Sequence, residues 1–249
     1  MDFDFPKTHH LRQLKSLWRT AFGDEEAFTE HFFSTGYSPR RCRIVTEGDA
    51  LAAMLFWFPC QFDGQPVAYL YGVATDPAYR NRGLCRALME DTHKLLKKEG
   101  YAGTVLVPGS AELFTMYHGF GYAPFGGMDT VKATPEKSNL SLRELSPEEY
   151  LHLRRTYLPP HSVLQEDILP FFPGTARLYA GQDFLLAAEK NGAFLRGIEL
   201  LGNARRAGEI LYALGVSEGA FRVPGSTRFA MFFPSRETAA PAYFGLAFD

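Results

Sequence analysis

The stretch Val73-Ala74-Thr75-Asp76-Pro77-Ala78-Tyr79-Arg80-Asn81-Arg82-Gly83-Leu84-Cys85-Arg86-Ala87-Leu88-Met89 decides how the rest of the chain is read. An apolar run ends at Thr75, Pro77 turns the backbone, and a basic turn opens an amphipathic segment. A helix starting at this turn presents backbone N–H groups with no partner inside the helix, and its aligned peptide dipoles add partial positive charge. Such an end suits a phosphate or pyrophosphate. Arg80, Arg82 and Arg86 add charge-assisted donors, and Gly83 lets the backbone approach an anion without an intervening side chain. A turn whose arginines are merely solvated has the same spacing. Neither GxxxxGK(S/T) nor GxGxxG is present here, so ATP and NAD lose support.

Working back from this turn, residues 67–73, 51–58 and 41–45 read as strands, with Gly64 marking a hairpin turn, and residues 10–33 as two short helices. Working forward, residues 83–98 form a helix with Leu84, Cys85, Leu88, Met89, Leu95 and Leu96 on one stripe, stopped by Lys97-Lys98 and Gly100. A strand at 103–107, a helix at 111–118 and a strand at 122–131 follow, then a polar linker over 132–141. Beyond it the pattern starts afresh: a helix at 147–157, strands at 184–189 and 194–201, a helix at 203–214, and short strands at 220–223, 229–233 and 243–248. Strand, strand, helix, strand repeats the middle of the first part and suggests a diverged duplication. The second copy carries only Gly202-Asn203-Ala204-Arg205-Arg206-Ala207-Gly208 at its turn and is expected to bind no pyrophosphate.

Composition narrows the function. With 249 residues, 46% hydrophobic and 22% charged, the chain has the make-up of a folded globular protein of one large or two ordinary domains. A net charge of -2 argues against a dedicated nucleic-acid binder and favours small-molecule chemistry. Cys42, Cys60 and Cys85 are widely spaced and odd in number, so neither a disulfide frame nor a metal site is expected, and a reducing cytoplasm fits. The start, Met1-Asp2-Phe3-Asp4-Phe5-Pro6, lacks the features of a signal peptide, and no run of about 18 apolar residues occurs, so a soluble, unexported protein with no membrane partner is expected.

The turn resembles motif A of the GNAT acetyltransferase superfamily, (Arg/Gln)-x-x-Gly-x-(Gly/Ala), matched by Arg80 and Gly83, with Cys85 as a departure. Arg86-Ala87-Leu88-Met89 is similar to the enhanced-intracellular-survival branch. Tyr117, Gly121 and Tyr122, within Glu112-Leu113-Phe114-Thr115-Met116-Tyr117-His118-Gly119-Phe120-Gly121-Tyr122, resemble motif B. One helix and one strand separate the two motifs, as in that superfamily.

The resemblance implies an α+β architecture. A GNAT fold over 1–133, with a mixed, mostly antiparallel sheet flanked by helices, precedes a degenerate GNAT-like domain over 142–249 that shapes the acceptor site. It implies acetyl-CoA as co-substrate, with Val73, Ala74 and Thr75 pairing with the pantetheine arm and Arg80, Asn81, Arg82, Gly83, Leu84, Cys85 and Arg86 around the pyrophosphate. Tyr117 would protonate the departing thiolate. Glu112 either caps the motif B helix beside the cofactor or simply favours the helix dipole. His118 is left without a role. A helix N-terminus would depress the pKa of Cys85, but direct transfer is the superfamily's habit. In that branch the C-terminal carboxylate, here on Asp249, lies in the active site and is the candidate base.

The acceptor is then an amine on a small or mid-sized molecule. The competing reading is a non-catalytic coenzyme A sensor or scaffold; transfer from charged tRNA is disfavoured by the charge balance. Homo-oligomerisation stays open, since Phe171-Phe172 and Phe232-Phe233 suit either a core or an interface.

Overall fold

A computed structural model of the chain describes residues 1–165 and 176–247. Phe171, Phe172 and the candidate base at Asp249 lie outside the described residues. The described chain forms two compact units, Met1–Ala123 with Met231–Ala240, and Pro124–Ala230 with Pro241–Ala247. Sequence reasoning expects contiguous domains over 1–133 and 142–249; in the structure residues 231–240 cluster with the first unit.

The first unit runs β1 (Asp2–Asp4), α1 (Leu11–Phe22), α2 (Glu26–Thr35), β2 (Cys42–Glu47), β3 (Ala50–Phe62), β4 (Gln65–Thr75), α3 (Leu84–Lys98), β5 (Gly103–Leu106) and α4 (Ala111–His118). The chain then passes through β6 (Ala123–Phe125) to β7 (Met128–Ala133), β8 (Arg143–Glu144), α5 (Pro147–Tyr157), β9 (Ala176–Ala180), β10 (Phe184–Asn191), β11 (Phe194–Gly202), α6 (Ala207–Leu214), β12 (Glu218–Pro224) and β13 (Ala230–Pro234). Two α+β sheets result, ordered β1-β2-β3-β4-β5-β13-β6 and β7-β12-β11-β10-β9-β8. In the first, β4 and β5 are parallel, while β1–β2, β2–β3, β3–β4 and β5–β13 are antiparallel.

The same unit occurs twice. A hairpin (β3–β4; β10–β11) leads through one 3-10 turn (Pro77–Tyr79; Ala204–Arg206) into a helix (α3; α6) and a parallel strand (β5; β12). In each sheet the next strand is antiparallel and comes from elsewhere in the chain. β13, which follows β12, pairs with β5, and β7, which follows β6, pairs with β12. Two expectations change as a result. The single strand expected over 122–131 is two strands, divided at Gly126-Gly127, and the strand expected over 229–233 serves the first sheet. At 243–247 the described chain makes an isolated bridge, Ser162 to Tyr243, in place of the expected strand.

The turn between β3 and β4 is Asp63-Gly64, both with positive φ (46° and 74°), the backbone of a tight hairpin. Further along, Met54 faces Ala74 but Phe56 faces Tyr71, so Gly72-Val73 stand opposite Leu55 alone. This bulge falls at Gly72, with φ +60°, where an added Cβ would lie 2.8 Å from Trp18 Cζ3 and 2.9 Å from Phe56 Cδ2. Trp18 is itself fixed by a stack on Phe32 at 4.3 Å. Gly72→Ala is therefore expected to cost about 2–4 kcal/mol, from left-handed backbone strain plus overpacking, read as a fall in the urea midpoint.

α3 buries Leu84, Leu88, Met89, Thr92, His93 and Leu96. Its inner face thus includes two polar residues, Thr92 and His93, that the apolar stripe omits.

Candidate active site

β4 and β5 pair only from Val67–Gly103 to Tyr69–Val105. Beyond Tyr69, β4 continues to Thr75 paired with β3 on one side only. Two parallel strands that separate in this way leave main-chain donors and acceptors of β4 facing a cleft, an edge able to bond an extended amide chain. Val73, Ala74 and Thr75 lie on this free stretch.

At the end of β4, Asp76 accepts from Ala78 N through Oδ1 (2.9 Å) and Pro77 opens the 3-10 turn. Asn81 (φ 62°) and Gly83 (φ 75°) are both left-handed. The first helical bond of α3 is Ala87 N to Gly83 O, 3.0 Å. Among the described residues, the backbone N–H groups from Asn81 to Arg86 find no acceptor, and no acidic side chain occupies the first turn of α3. Consecutive free amides on such a backbone form a concave anion cradle with the helix dipole behind it. The three arginines differ. Arg80 Nε donates to Thr75 O (3.2 Å), Arg82 lies over Tyr79 and 3.4 Å from Glu47, and Arg86 Nη2 donates to Gly119 O (3.0 Å) while covering the Phe120 ring. Arg80 and Arg82 flank the cradle, whereas Arg86 ties it to α4.

α4 starts at Ser110, whose hydroxyl accepts from Leu113 N (3.4 Å). Glu112 is exposed in the first turn, its carboxyl lowered by the Ser110 hydroxyl and its own backbone amide. Near the other end Tyr117 is 6% exposed, packed edge-on against Phe120 and Tyr122. Its hydroxyl has no hydrogen-bond partner among the described residues. Burial, with a smaller contribution from nearby Cys85, raises the phenol well above its usual pKa. Tyr117 is thus a protonated donor with no acceptor among the described residues, near Cys85 in the first turn of α3.

Cys85 overturns one expectation. Its side chain packs on the apolar core with Leu84 and Leu88, and burial pushes the thiol up to about 11, opposite to the depression expected at a helix N-terminus. Desolvation of this part-buried side chain outweighs the helix dipole. The thiolate fraction at pH 8 is then about one in a thousand. Cys85 is expected to resist iodoacetamide at pH 8 on the time scale that modifies free cysteine, and Cys85→Ala to keep at least half the wild-type kcat.

Sequence reasoning missed a buried set behind Tyr117. The Tyr122 hydroxyl lies 2.8 Å from His93 Nε2 and 2.7 Å from Thr104 Oγ1. His118, left without a role, bonds Tyr122 O through Nδ1 (3.2 Å). Only the position of His93 on the inner face of α3 hints at this cluster.

In the second unit the matching helix start is covered by the chain itself. Glu136 N donates to Gly208 O (2.9 Å), and Ser138 Oγ donates to Glu209 (2.5 Å). Glu209 also pairs with Arg206, and Arg206 with Asp183. Arg206 is thus satisfied within the second unit, while the Arg205 guanidinium makes no ion pair among the described residues.

Residues 3–125 match the model of the acetyltransferase (GNAT) domain. No curated protein matches the chain. Among solved structures, a GCN5-related N-acetyltransferase from Anabaena variabilis aligns with TM-score 0.74 at 15% identity, over 94% of this chain and 73% of that one. Eis1 from Mycobacterium abscessus aligns with TM-score 0.70 at 13% identity, over 94% and 74%. A tandem GNAT protein from the clavulanic acid biosynthesis pathway aligns with TM-score 0.58 at 11% identity, over 96% and 100%. At these identities the likeness is one of fold, and the fold is that of GNAT proteins. No helix among the described residues is long and apolar enough to cross a membrane.

Proposed function

We propose, from the GNAT acetyltransferase domain at residues 3–125, that the protein moves an acetyl group from acetyl-CoA directly to a primary amine of a small or mid-sized acceptor. The observation that carries this reading is the protonated Tyr117 hydroxyl, without a partner among the described residues, beside a run of backbone amides that likewise find no acceptor among them. Acetyl-CoA supplies a reactive thioester, and each feature suits one part of it. The free edge of β4 at Val73, Ala74 and Thr75 would bond the amides of the pantetheine arm. The cradle from Asn81 to Arg86, flanked by Arg80 and Arg82, would hold the pyrophosphate. Tyr117 would hand its proton to the departing sulfur. Glu112 is exposed on the first turn of α4 and is assigned to the helix dipole rather than to the cofactor.

Arg86-Ala87-Leu88-Met89 and the repeated α+β unit support a place in the enhanced-intracellular-survival branch. On this reading the second unit shapes the acceptor site. Three free cysteines suit a reducing cytoplasm, where we place the protein.

The test is thiol release from acetyl-CoA across a panel of primary amines, with coenzyme A binding measured by calorimetry. Amine-dependent release supports the proposal. Binding without turnover on any amine makes the protein a coenzyme A sensor, and no binding at all removes both readings.

A further inference from the structure

We propose that His93, Thr104, Tyr122 and Phe233 form a buried positioning cluster that aims Tyr117, with Phe233 delivered by a strand from the far end of the chain. The proposal rests on Tyr117 being the acid of the reaction above.

Among the described residues the Tyr117 phenol has no hydrogen bond of its own, so its direction is set by its backbone and its neighbours. Both trace to Tyr122. Tyr117 O accepts from Phe120 N (2.9 Å) and Tyr122 N (3.1 Å), which closes the end of α4, and the Tyr122 ring meets the Tyr117 ring edge-on at 5.8 Å. Tyr122 is in turn held on every side. Its carbonyl bonds His118 Nδ1 (3.2 Å), and its hydroxyl, deep in the core, bridges His93 on α3 and Thr104 on β5. His93 Nε2 and Thr104 Oγ1 are 3.3 Å apart, closing a ring of three polar groups.

β13 completes the support. Phe233 stacks flat on His93 at 4.1 Å and 9° and touches Tyr122 at 5.5 Å. It also lies against Gly121, where an added Cβ would come 3.1 Å from Phe233 Cε2. Phe233 faces Thr104 across the β5–β13 pair, so its side chain is placed by the sheet. The strand is anchored beyond by Ser235 N to Ala102 O (2.9 Å) and Arg236 Nη2 to Gln65 Oε1 (2.6 Å).

Tyr122 lies in a core cluster that includes Leu84, Leu88, Leu96, Leu106 and Met231. Apolar side chains would fill it without the desolvation that three polar groups bring. A fully satisfied network is stiff in return, and proton transfer is sensitive to displacements of about 1 Å. Burial holds His93 at a pKa of about 4, so the ring stays neutral through the working range.

Tyr122→Phe removes one hydroxyl and keeps the ring. The expected result in the full chain is a fall in kcat of about tenfold or more, with KM for acetyl-CoA within about twofold. In a Tyr117→Phe background the same change is expected to add less than a further twofold, because the aimed group is gone. An unchanged kcat beside a Tyr117→Phe that does lose activity overturns the positioning role. An equal, additive loss in both backgrounds overturns it as well, marking general damage. If Tyr117→Phe itself leaves kcat intact, the assignment of the acid has failed instead. Should Tyr122→Phe melt below the assay temperature, Thr104→Val and Phe233→Leu are read in the same two backgrounds, by the same criteria.

Discussion

Tyr117→Phe is expected to lower kcat by about a hundredfold or more and to leave KM for acetyl-CoA within about twofold. The substitution removes only the hydroxyl, which bonds nothing among the described residues, so packing against Phe120 and Tyr122 survives. What it removes is a proton source. Burial makes an isolated phenol a weaker acid, which looks unhelpful for protonating a thiolate. The same surroundings weaken thiols too: Cys85, beside Tyr117, is pushed up to about 11. A thiolate leaving in a similarly desolvated site would also be a stronger base, so burial of the donor alone does not disfavour the transfer.

The sign of the pH dependence follows. An acid raised above its usual pKa is fully protonated below that value, so Tyr117 contributes no alkaline loss between pH 8 and 10. Steady-state thiol release across that range, corrected for the amine's own ionisation, is expected to stay flat. A Tyr117→Phe within threefold of wild type would mean that another donor, such as water, supplies the proton, and a fall near pH 8 would mean that a different group titrating there is the acid.

The parts of this site that could be read from sequence are local. Pro77, the arginines and Gly83 change the chain's period from strand to helix within ten residues, and the backbone does what those residue types require. The spacing of Tyr117 from Gly121-Tyr122 is legible in the sequence, and in the structure it is the closing turn of α4, with Tyr122 N on Tyr117 O. Cys85 shows the limit of local reading: it is part-buried and packs against the core cluster of Leu84, Leu88 and Met89, and that desolvation outweighs the helix dipole. The crossing of β7 and β13 left almost no trace. Pairing Pro234 with Gly103 joins segments more than a hundred residues apart, and no local pattern encodes such a partner. The buried polar clusters share this difficulty, since each member comes from a different element.

Glu199→Gln is expected to be the most destabilising single change in the second unit, by about 3–5 kcal/mol. Arg154 on α5 is 2% exposed and Glu199 on β11 is 0% exposed, and they meet through Nε–Oε2 (2.6 Å) and Nη2–Oε1 (2.8 Å). Tyr150 and Tyr243 donate to the two carboxylate oxygens (3.0 and 3.1 Å). Burial, then the charge of Glu199, raises both phenols, so they remain donors. Gln165 bonds Arg154 and, through its amide nitrogen, Gly245 O. An amide at 199 leaves the guanidinium charged and buried without its counter-ion, and one Tyr hydroxyl faces an NH2 group. A loss of this size lowers Tm by roughly 10 °C in a chain this long, measurable by calorimetry. The replacement Arg154→Met with Glu199→Leu removes both charges and is expected to recover at least half of the loss, short of full recovery because the two tyrosines lose their acceptor. Tyr243 and Gly245 belong to the segment Pro241–Ala247, so Glu199→Gln is also expected to speed proteolytic cleavage there before the rest of the chain is cut. A melting temperature within 2 °C of wild type would show that the carboxylate's charge is dispensable, and that hydrogen bonding by a neutral amide suffices to hold Arg154.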